Sequence, residues 1–440
     1  MEVARQPAVS RPSTPGRALS RVAAIAGREY GLFCIGAGAV AVHVLDDSFL
    51  QPEPGTSAGD HLVSGLVPVA VLALIAGVYS RFRAGLRGAI ALIVGFLGAV
   101  GGATEAGYYT VTLGPARDDY TGLLMIAAGL LLLGLGVVTL WKSRRRAGSL
   151  ARRCLRRALI AAGSAVLAYQ LASIAYAYGF THAGRAVVPE ARLGTTYQDV
   201  TFTTSDGLKL AGWYIPSRNG AAVIAFPGRK GPQKHARMLA HHGYGVLLFD
   251  RRGEGASEGD PEALGWVGDR DVNAAIAFLA GRPEVDRNRI GGIGLSTGGE
   301  VLLQTAARST ALKAVVSEGA GIRSIREERD LPTAMKWALA PQWSVSTAAY
   351  AVFSNHAPPP NLKDLVGRIA PRPVFLIYAR EGQGGEQELN PGFYAAARQP
   401  KTLWGIAGSA HTGGISARPR EYERRVLQFF QQALLREDAR

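Results

Sequence analysis

Arg289-Ile290-Gly291-Gly292-Ile293-Gly294-Leu295-Ser296-Thr297-Gly298-Gly299-Glu300-Val301-Leu302-Leu303 is the stretch on which the fold turns. A short apolar run, Arg289–Leu295, has the length and bounding glycines of a buried strand. From Gly299 to Arg308 the spacing of Val301, Leu302, Leu303 and Ala306 becomes helical. Between them stands Gly294-Leu295-Ser296-Thr297-Gly298. The pattern Gly-x-Ser-x-Gly holds a serine on a strained strand-to-helix turn, and its glycines are required because larger side chains have no room there. The same pattern occurs at Gly55-Thr56-Ser57-Ala58-Gly59 and at Gly255-Ala256-Ser257-Glu258-Gly259. The first of these lies in a loop between apolar segments. The second is cut off from its strand by Arg251-Arg252-Gly253-Glu254 and runs into Asp260-Pro261. Only Ser296 has a strand before it and a helix after it, so Ser296 is the candidate nucleophile. The alternative is a tight turn with a structural serine.

Working outward, the same alternation continues on both sides. Strands are expected at Tyr197–Thr203 and Leu210–Ile215, joined by Ser205-Asp206-Gly207, and at Ala221–Phe226 and Tyr244–Phe249. Others follow at Leu312–Ser317, Pro373–Tyr378 and Thr402–Ile406. Helices are expected at Gln233–His242, Asp269–Ala280, Pro391–Arg398 and Arg420–Leu435. Apolar strands alternating with amphipathic helices indicate an α/β domain, a mostly parallel sheet covered on both faces. Catalytic loops in such sheets lie beyond the C-terminal strand ends.

One such end carries Asp250-Arg251-Arg252-Gly253-Glu254-Gly255-Ala256-Ser257. This resembles the Asp-x-Arg-Gly-x-Gly-x-Ser loop of the α/β-hydrolase superfamily, and the resemblance spans residues 195–437. It implies an α/β-hydrolase fold over 194–440 with a small cap at 319–365, and a structural role for Ser257. It also implies the chain order nucleophile, acid, histidine. Of the two histidines after Ser296, His356 precedes Pro358-Pro359-Pro360 in an irregular stretch. His411 follows the last strand, where the family places its base, so His411 is the expected general base. The acid should follow strand Pro373–Tyr378, but the family's aspartate is missing. The loop offers Glu381, Glu386 and Glu388; Glu386, past the glycines, is preferred. The oxyanion hole would use backbone N–H groups of Thr297 and of Arg229, in a loop where many relatives have His-Gly and this chain has Pro227-Gly228-Arg229, without the family histidine. The resemblance implies a serine hydrolase acting on an ester, amide or thioester, with no cofactor. An acyltransferase with the same triad and a catalytically silent sensor remain open. Apolar residues in the cap, among them Trp337, Trp343, Tyr350 and Phe353, favour a small-molecule or lipid-like acyl substrate.

The first half reads differently. Residues 1–29 form a basic tail expected to be disordered. Apolar stretches near 30–46, 62–80, 88–104, 121–141 and 158–180 give an all-α transmembrane domain of about five helices over 30–181, since crossing the hydrocarbon core takes about 20 helical residues. Arginines and lysines gather before the first stretch, at Arg81, Arg83 and Arg87, and across 142–157. Asp46, Asp47, Glu53, Asp60, Glu105, Asp118 and Asp119 occupy the alternate gaps. Basic residues collect on the cytoplasmic side. This gives an integral cell-membrane protein with a cytoplasmic N-terminus and an extracytoplasmic hydrolase domain. The net charge of +15 would fit nucleic acid if it decorated one globular face, but these basic residues sit between apolar runs without interleaved aromatics. Nucleic acid is therefore not an expected partner. The two cysteines, Cys34 and Cys154, support no disulfide framework, and no zinc-ligand spacing is found.

Overall fold

The computed structural model describes residues 15–107, 119–143, 149–182 and 188–435. Five helices of the first half are long and apolar enough to cross a membrane: α1 (Pro15–Leu45), α2 (Leu62–Tyr79), α3 (Ala84–Gly102), α4 (Asp119–Lys142) and α5 (Leu150–His182). Only 17% of the α2 span is buried against the rest of the chain. A helix that is apolar on its outward faces as well needs an apolar surround. α3 and α4 pack backbone to backbone through glycines seven residues apart, Gly88, Gly95 and Gly102 against Gly122, Gly129 and Gly136. A Cβ on Gly129 would lie 2.4 Å from the Ala99 nitrogen, and one on Gly102 would lie 2.5 Å from the Gly122 carbonyl oxygen. Small residues on both helices are what let the two backbones approach this closely.

The first helix corrects one expectation. It begins at Pro15, so residues 15–29 are helical and not part of a disordered tail. Proline suits a first helical position, and Ala-, Leu- and Arg-rich sequence follows it. Residues 1–14, with Arg5 and Arg11, lie outside the described residues, as do Arg117, Asp118 and Arg144 to Arg146. Two π-helical turns, Asp46–Leu50 and Ala103–Gly107, prolong α1 and α3.

The second half forms one eight-stranded sheet in the order β1-β2-β4-β3-β5-β6-β7-β8. Its strands are β1 (Gln198–Thr203), β2 (Lys209–Ile215), β3 (Ala222–Phe226), β4 (Gly245–Phe249), β5 (Ile290–Leu295), β6 (Ala314–Glu318), β7 (Val374–Ala379) and β8 (Lys401–Ile406). β1 and β2 run antiparallel to their neighbours, and β3 to β8 are parallel. Period-two alternation divides the core between the faces. Ile224, Phe226 and Leu247 pack under α7 (Gly268–Ala280) and α8 (Thr297–Arg308), and Val223, Ala225 and Val246 pack under α6 (Gln233–His241) and α14 (Pro419–Phe430). The interruption between β6 and β7 holds α9 (Ile325–Glu328), α10 (Thr333–Phe353) and α11 (Leu362–Val366). The remaining helices are α12 (Glu386–Ala396) and α13 (Gly414–Ala417). α12 starts at Glu386 rather than at Pro391, after Gly385 with φ 77°. Proline's preference for the first turn pointed to the later residue, yet the helix accommodates Pro391 in its second turn.

The halves meet where α5 ends. Ser346 Oγ donates to the Ser173 carbonyl at 3.2 Å, and Trp343 stands edge-on to Tyr176 with centroids 6.4 Å apart. The 46–61 loop joins the same side, with Gly259 N–H donating to the Pro54 carbonyl at 2.8 Å and Asn355 Nδ2 to the Asp60 carbonyl at 2.7 Å.

Candidate active site

β5 delivers Ser296 at φ 52°, ψ −125°, a left-handed conformation that a non-glycine residue adopts only under local constraint. The constraint is visible in the flanking glycines. A Cβ on Gly294 would sit 2.4 Å from the Gly298 carbonyl carbon, and one on Gly298 would sit 2.5 Å from the Phe226 carbonyl oxygen. The turn is thus wedged between β5, α8 and the end of β3, and it lifts the serine hydroxyl off the sheet.

His411 lies in the loop between β8 and α13. Its Nε2 is 2.9 Å from Ser296 Oγ, and its Nδ1 is 2.7 Å from Glu386 Oε1. A carboxylate only accepts, so Nδ1 carries the hydrogen and Nε2 is left to accept from the serine hydroxyl. The hydrogen bond to Glu386 raises the His411 pKa above its ordinary value, against the opposing effect of burial. Gly319 leaves space for the ring, since a Cβ there would meet His411 Cε1 at 3.0 Å.

Glu386 is fully buried. Backbone N–H groups of Ala379 and Gln383 donate to it at 3.0 and 3.2 Å, which fixes the carboxylate before it meets the imidazole. Gly382 has to be glycine here, because its Cβ would fall 1.9 Å from Glu386 Oε1. The other two glutamates do not join this group. Glu381 accepts from the Gly408 N–H at 3.0 Å, tying two loops together, and Glu388, two residues after Glu386, lies on a different side of the first turn of α12.

Thr297 opens α8, and a first-turn helix amide has no acceptor within its own helix. Arg229 differs from expectation. Its backbone N–H donates to Asp250 Oδ1 at 2.9 Å, and Nε and Nη2 donate to Asp250 Oδ2 at 2.9 and 2.5 Å. A buried carboxylate needs such donors to offset its lost hydration. The Arg229 amide is therefore engaged with the β4 loop, and the oxyanion donor expected from it is not free. Ser257 is buried, donating to the Asp250 carbonyl at 2.6 Å and accepting from Ala211 N–H at 2.9 Å. Ser57 donates to Asp60 Oδ2 at 2.8 Å in the 46–61 loop.

Several supporting residues escaped the sequence reading. Glu318, one residue past the strand end expected for β6, accepts from Gly414 N–H at 2.8 Å and from the Tyr422 hydroxyl at 2.5 Å. It thereby pins the His411 loop to β6 and α14. Glu300 accepts from Gly321 N–H at 2.7 Å, and burial pushes its carboxyl up to about 7. Its signal was available, a charge among apolar residues in the first turn after the serine.

A hydroxyl, an imidazole and a buried carboxylate in line form a proton-transfer unit suited to acyl transfer. Comparison with known proteins agrees in class. A family model described as X-Pro dipeptidyl-peptidase (S15 family) matches residues 185–368. Uncharacterized protein YfhR of Escherichia coli is 25% identical over 248 residues, covering 54% of this chain and 81% of the relative. Polyketide transferase grgF of a Penicillium species is 35% identical over 134 residues, covering 27% of this chain and 43% of the relative. Among solved structures, esterase Pf2001 of Pyrococcus furiosus matches at 26% identity and a TM-score of 0.46, over 57% of this chain and 97% of its own. The second half of the chain belongs to the α/β-hydrolase superfamily. The protein is a serine hydrolase, preceded by a helical region with five apolar candidate spans.

Proposed function

We propose that this is a membrane-anchored enzyme that cleaves an acyl ester at the outer membrane–water boundary through an acyl-enzyme on Ser296. The carrying observation is the Ser296–His411–Glu386 relay. His411 takes the hydroxyl proton as Ser296 attacks the carbonyl and returns it to the leaving group; water then releases the acyl group by the same steps in reverse. Glu386 holds the imidazole and stabilises its charged form. Thr297 N–H donates to the developing oxyanion.

The boundary location rests on two observations. α10, the long helix of the cap, runs along α5, with the Tyr169 hydroxyl 3.3 Å from Gln342 Oε1, so the cap is part of the junction with the spans. The acidic 46–61 loop touches the hydrolase domain, while Arg81, Arg83 and Arg87, the end of α4 at Lys142 and the start of α5 at Leu150 lie at the opposite helix ends. That arrangement supports five spans, a cytoplasmic N-terminus and an extracytoplasmic hydrolase domain. Similarity to an X-Pro dipeptidyl-peptidase family keeps peptides as substrates in the comparison, and similarity to a polyketide transferase favours, as a second reading, delivery of the acyl group to an acceptor other than water.

Detergent-solubilised protein assayed on acyl esters of increasing chain length and on aminoacyl-proline amides separates these. Faster turnover of longer esters is expected; preference for the amide would replace the ester reading, and a dominant transfer product with added alcohol would support the second. In a Cys34→Ser, Cys154→Ser background, Gln383→Cys should react with an impermeant thiol reagent on intact cells. Protection of that cysteine would invert the topology.

A further inference from the structure

In the helical first half, Asp47, Glu105 and His182 bring ligand atoms together from three helices, and His43 joins them through Glu105. Glu105, on the π-helical turn after α3, contacts His43 Nε2 through Oε2 and accepts from the Tyr178 hydroxyl at 2.5 Å through Oε1. His182 Nε2 faces the same Oε1 at 3.9 Å, too far for a hydrogen bond. Asp47, on the π-helical turn after α1, brings a third ligand atom, and those of Asp47, Glu105 and His182 lie within 4.8 Å of one another. Ionisable groups among apolar spans are costly and usually mark function, and single π-turns are frequent at functional sites.

We propose that His43, Asp47, Glu105 and His182 bind a divalent transition-metal ion of the zinc class. The donor set, two imidazoles and two carboxylates, suits such an ion. Bonds of about 2.0–2.2 Å place ligand atoms roughly 3–4 Å apart, so drawing in Asp47, Glu105 and His182, now within 4.8 Å of one another, takes shifts of about 1 Å, and His43 joins by exchanging its contact with Glu105 for the ion. Both histidines are already oriented through their other nitrogen. His43 Nδ1 lies 3.1 Å from Thr121 Oγ1, which donates to Asp46 Oδ2 at 2.8 Å. His182 Nδ1 lies 2.8 Å from Thr181 Oγ1 and 3.3 Å from the Tyr178 carbonyl. Each Nε2 is left facing Glu105, the outer-shell arrangement that metal-binding histidines use.

Access is present as well. A cavity of about 190 Å³ runs from the cluster toward Arg252, Asp260 and His356 of the hydrolase domain. An apolar cavity of about 390 Å³ among the spans shares His43, Asp47 and His182 with it. The ion would thus sit at the neck between the two and join α1, α3 and α5 at the end facing the hydrolase.

The test is metal content of the full chain in detergent, incubated with Zn²⁺ and then freed of unbound metal. Wild type should retain about one zinc per chain, show a visible absorption band when loaded with Co²⁺, and unfold at higher temperature with zinc than after chelation. Glu105→Gln and His182→Ala should lose all three responses, whereas Glu53→Gln, in the same cavity, and Ser296→Ala should keep them. Circular dichroism of the two losing variants keeps misfolding distinct from loss of ligands, and His182→Cys, which restores a ligand, should regain the Co²⁺ band. Wild type with no zinc, or zinc retained equally by Glu105→Gln and His182→Ala, would overturn the site. Either result leaves the Ser296 reading untouched.

Discussion

Two hydroxyl–imidazole–carboxylate groups, one in each half of the molecule, are wired differently. In the hydrolase domain, Ser296, His411 and Glu386 form a line in which the carboxylate holds Nδ1 and the hydroxyl meets Nε2. In the helical first half, Thr121 meets Nδ1 of His43, and Glu105 takes Nε2. The proton of Thr121 is already given to Asp46 Oδ2, so His43 is not placed to remove it. Ser296 stands instead on a strained turn with φ 52°, where its hydroxyl is presented to the imidazole and to a substrate. The same three functional groups make a nucleophile in one place and a ligand cage in the other, and the deciding feature is where the hydroxyl proton goes.

The comparison is most easily broken at the hydroxyls. Ser296→Ala should lower turnover by about 10⁴-fold or more, because members of such a relay act as a unit, whereas Thr121→Ala should leave turnover within about twofold. The reverse order, measured as kcat on one ester, would exchange the roles of the two groups. The carboxylates come next. Glu386→Gln should cost about 10³–10⁴-fold in kcat with little change in KM, since the amide favours the wrong imidazole tautomer. Glu381→Gln and Glu388→Gln should be mild by comparison. A large loss for Glu381→Gln alone would move the acid to the end of β7.

A smaller effect sharpens the electrostatics. His411 must be neutral to accept the proton, so activity falls as pH drops through its pKa, which Glu386 raises. The acidic limb of kcat/KM in wild type should therefore lie above the ordinary histidine value of about 6.5. In Glu386→Gln it should move to lower pH, although the maximum rate is reduced. A limb that stays in place would mean that another group controls it; Glu300, pushed up to about 7 by burial, is the first to test by Glu300→Gln.

How much of this was readable beforehand depends on the range of the interactions. β5, Ser296 and α8 are local, and their glycines announce the crowding, so the serine stood out among three matching patterns. The five long apolar helices were equally plain, because length and apolarity are properties of the chain alone. The acid was ambiguous because Glu381, Glu386 and Glu388 share one glycine-rich loop, and which carboxylate turns inward depends on the Ala379 and Gln383 N–H groups and on the gap at Gly382. Arg229 was misread because its amide is claimed by Asp250 across the neighbouring strand. The His43–Asp47–Glu105–His182 group left little spacing to detect, since only His43 and Asp47 share a helix and Glu105 and His182 end two others.

The smallest expected effect concerns packing. A methyl on Gly129 would fall 2.4 Å from the Ala99 nitrogen, while one on Gly77 meets nothing within 4 Å. Gly129→Ala should destabilise the helical first half by about 1–3 kcal/mol, read as a lower melting temperature in detergent, and Gly77→Ala should not. Serine reactivity should survive both, because the Ser296 relay rests on the sheet and not on the α3–α4 contact.

The central claim, that Ser296 is the nucleophile, is tested most directly by treating the full-length protein with a fluorophosphonate and mapping the adduct by mass spectrometry. The expected result is a single adduct on the peptide containing Ser296, abolished by Ser296→Ala and much slowed by His411→Ala. An adduct on Ser57 or Ser257, or undiminished ester hydrolysis in Ser296→Ala, would contradict it.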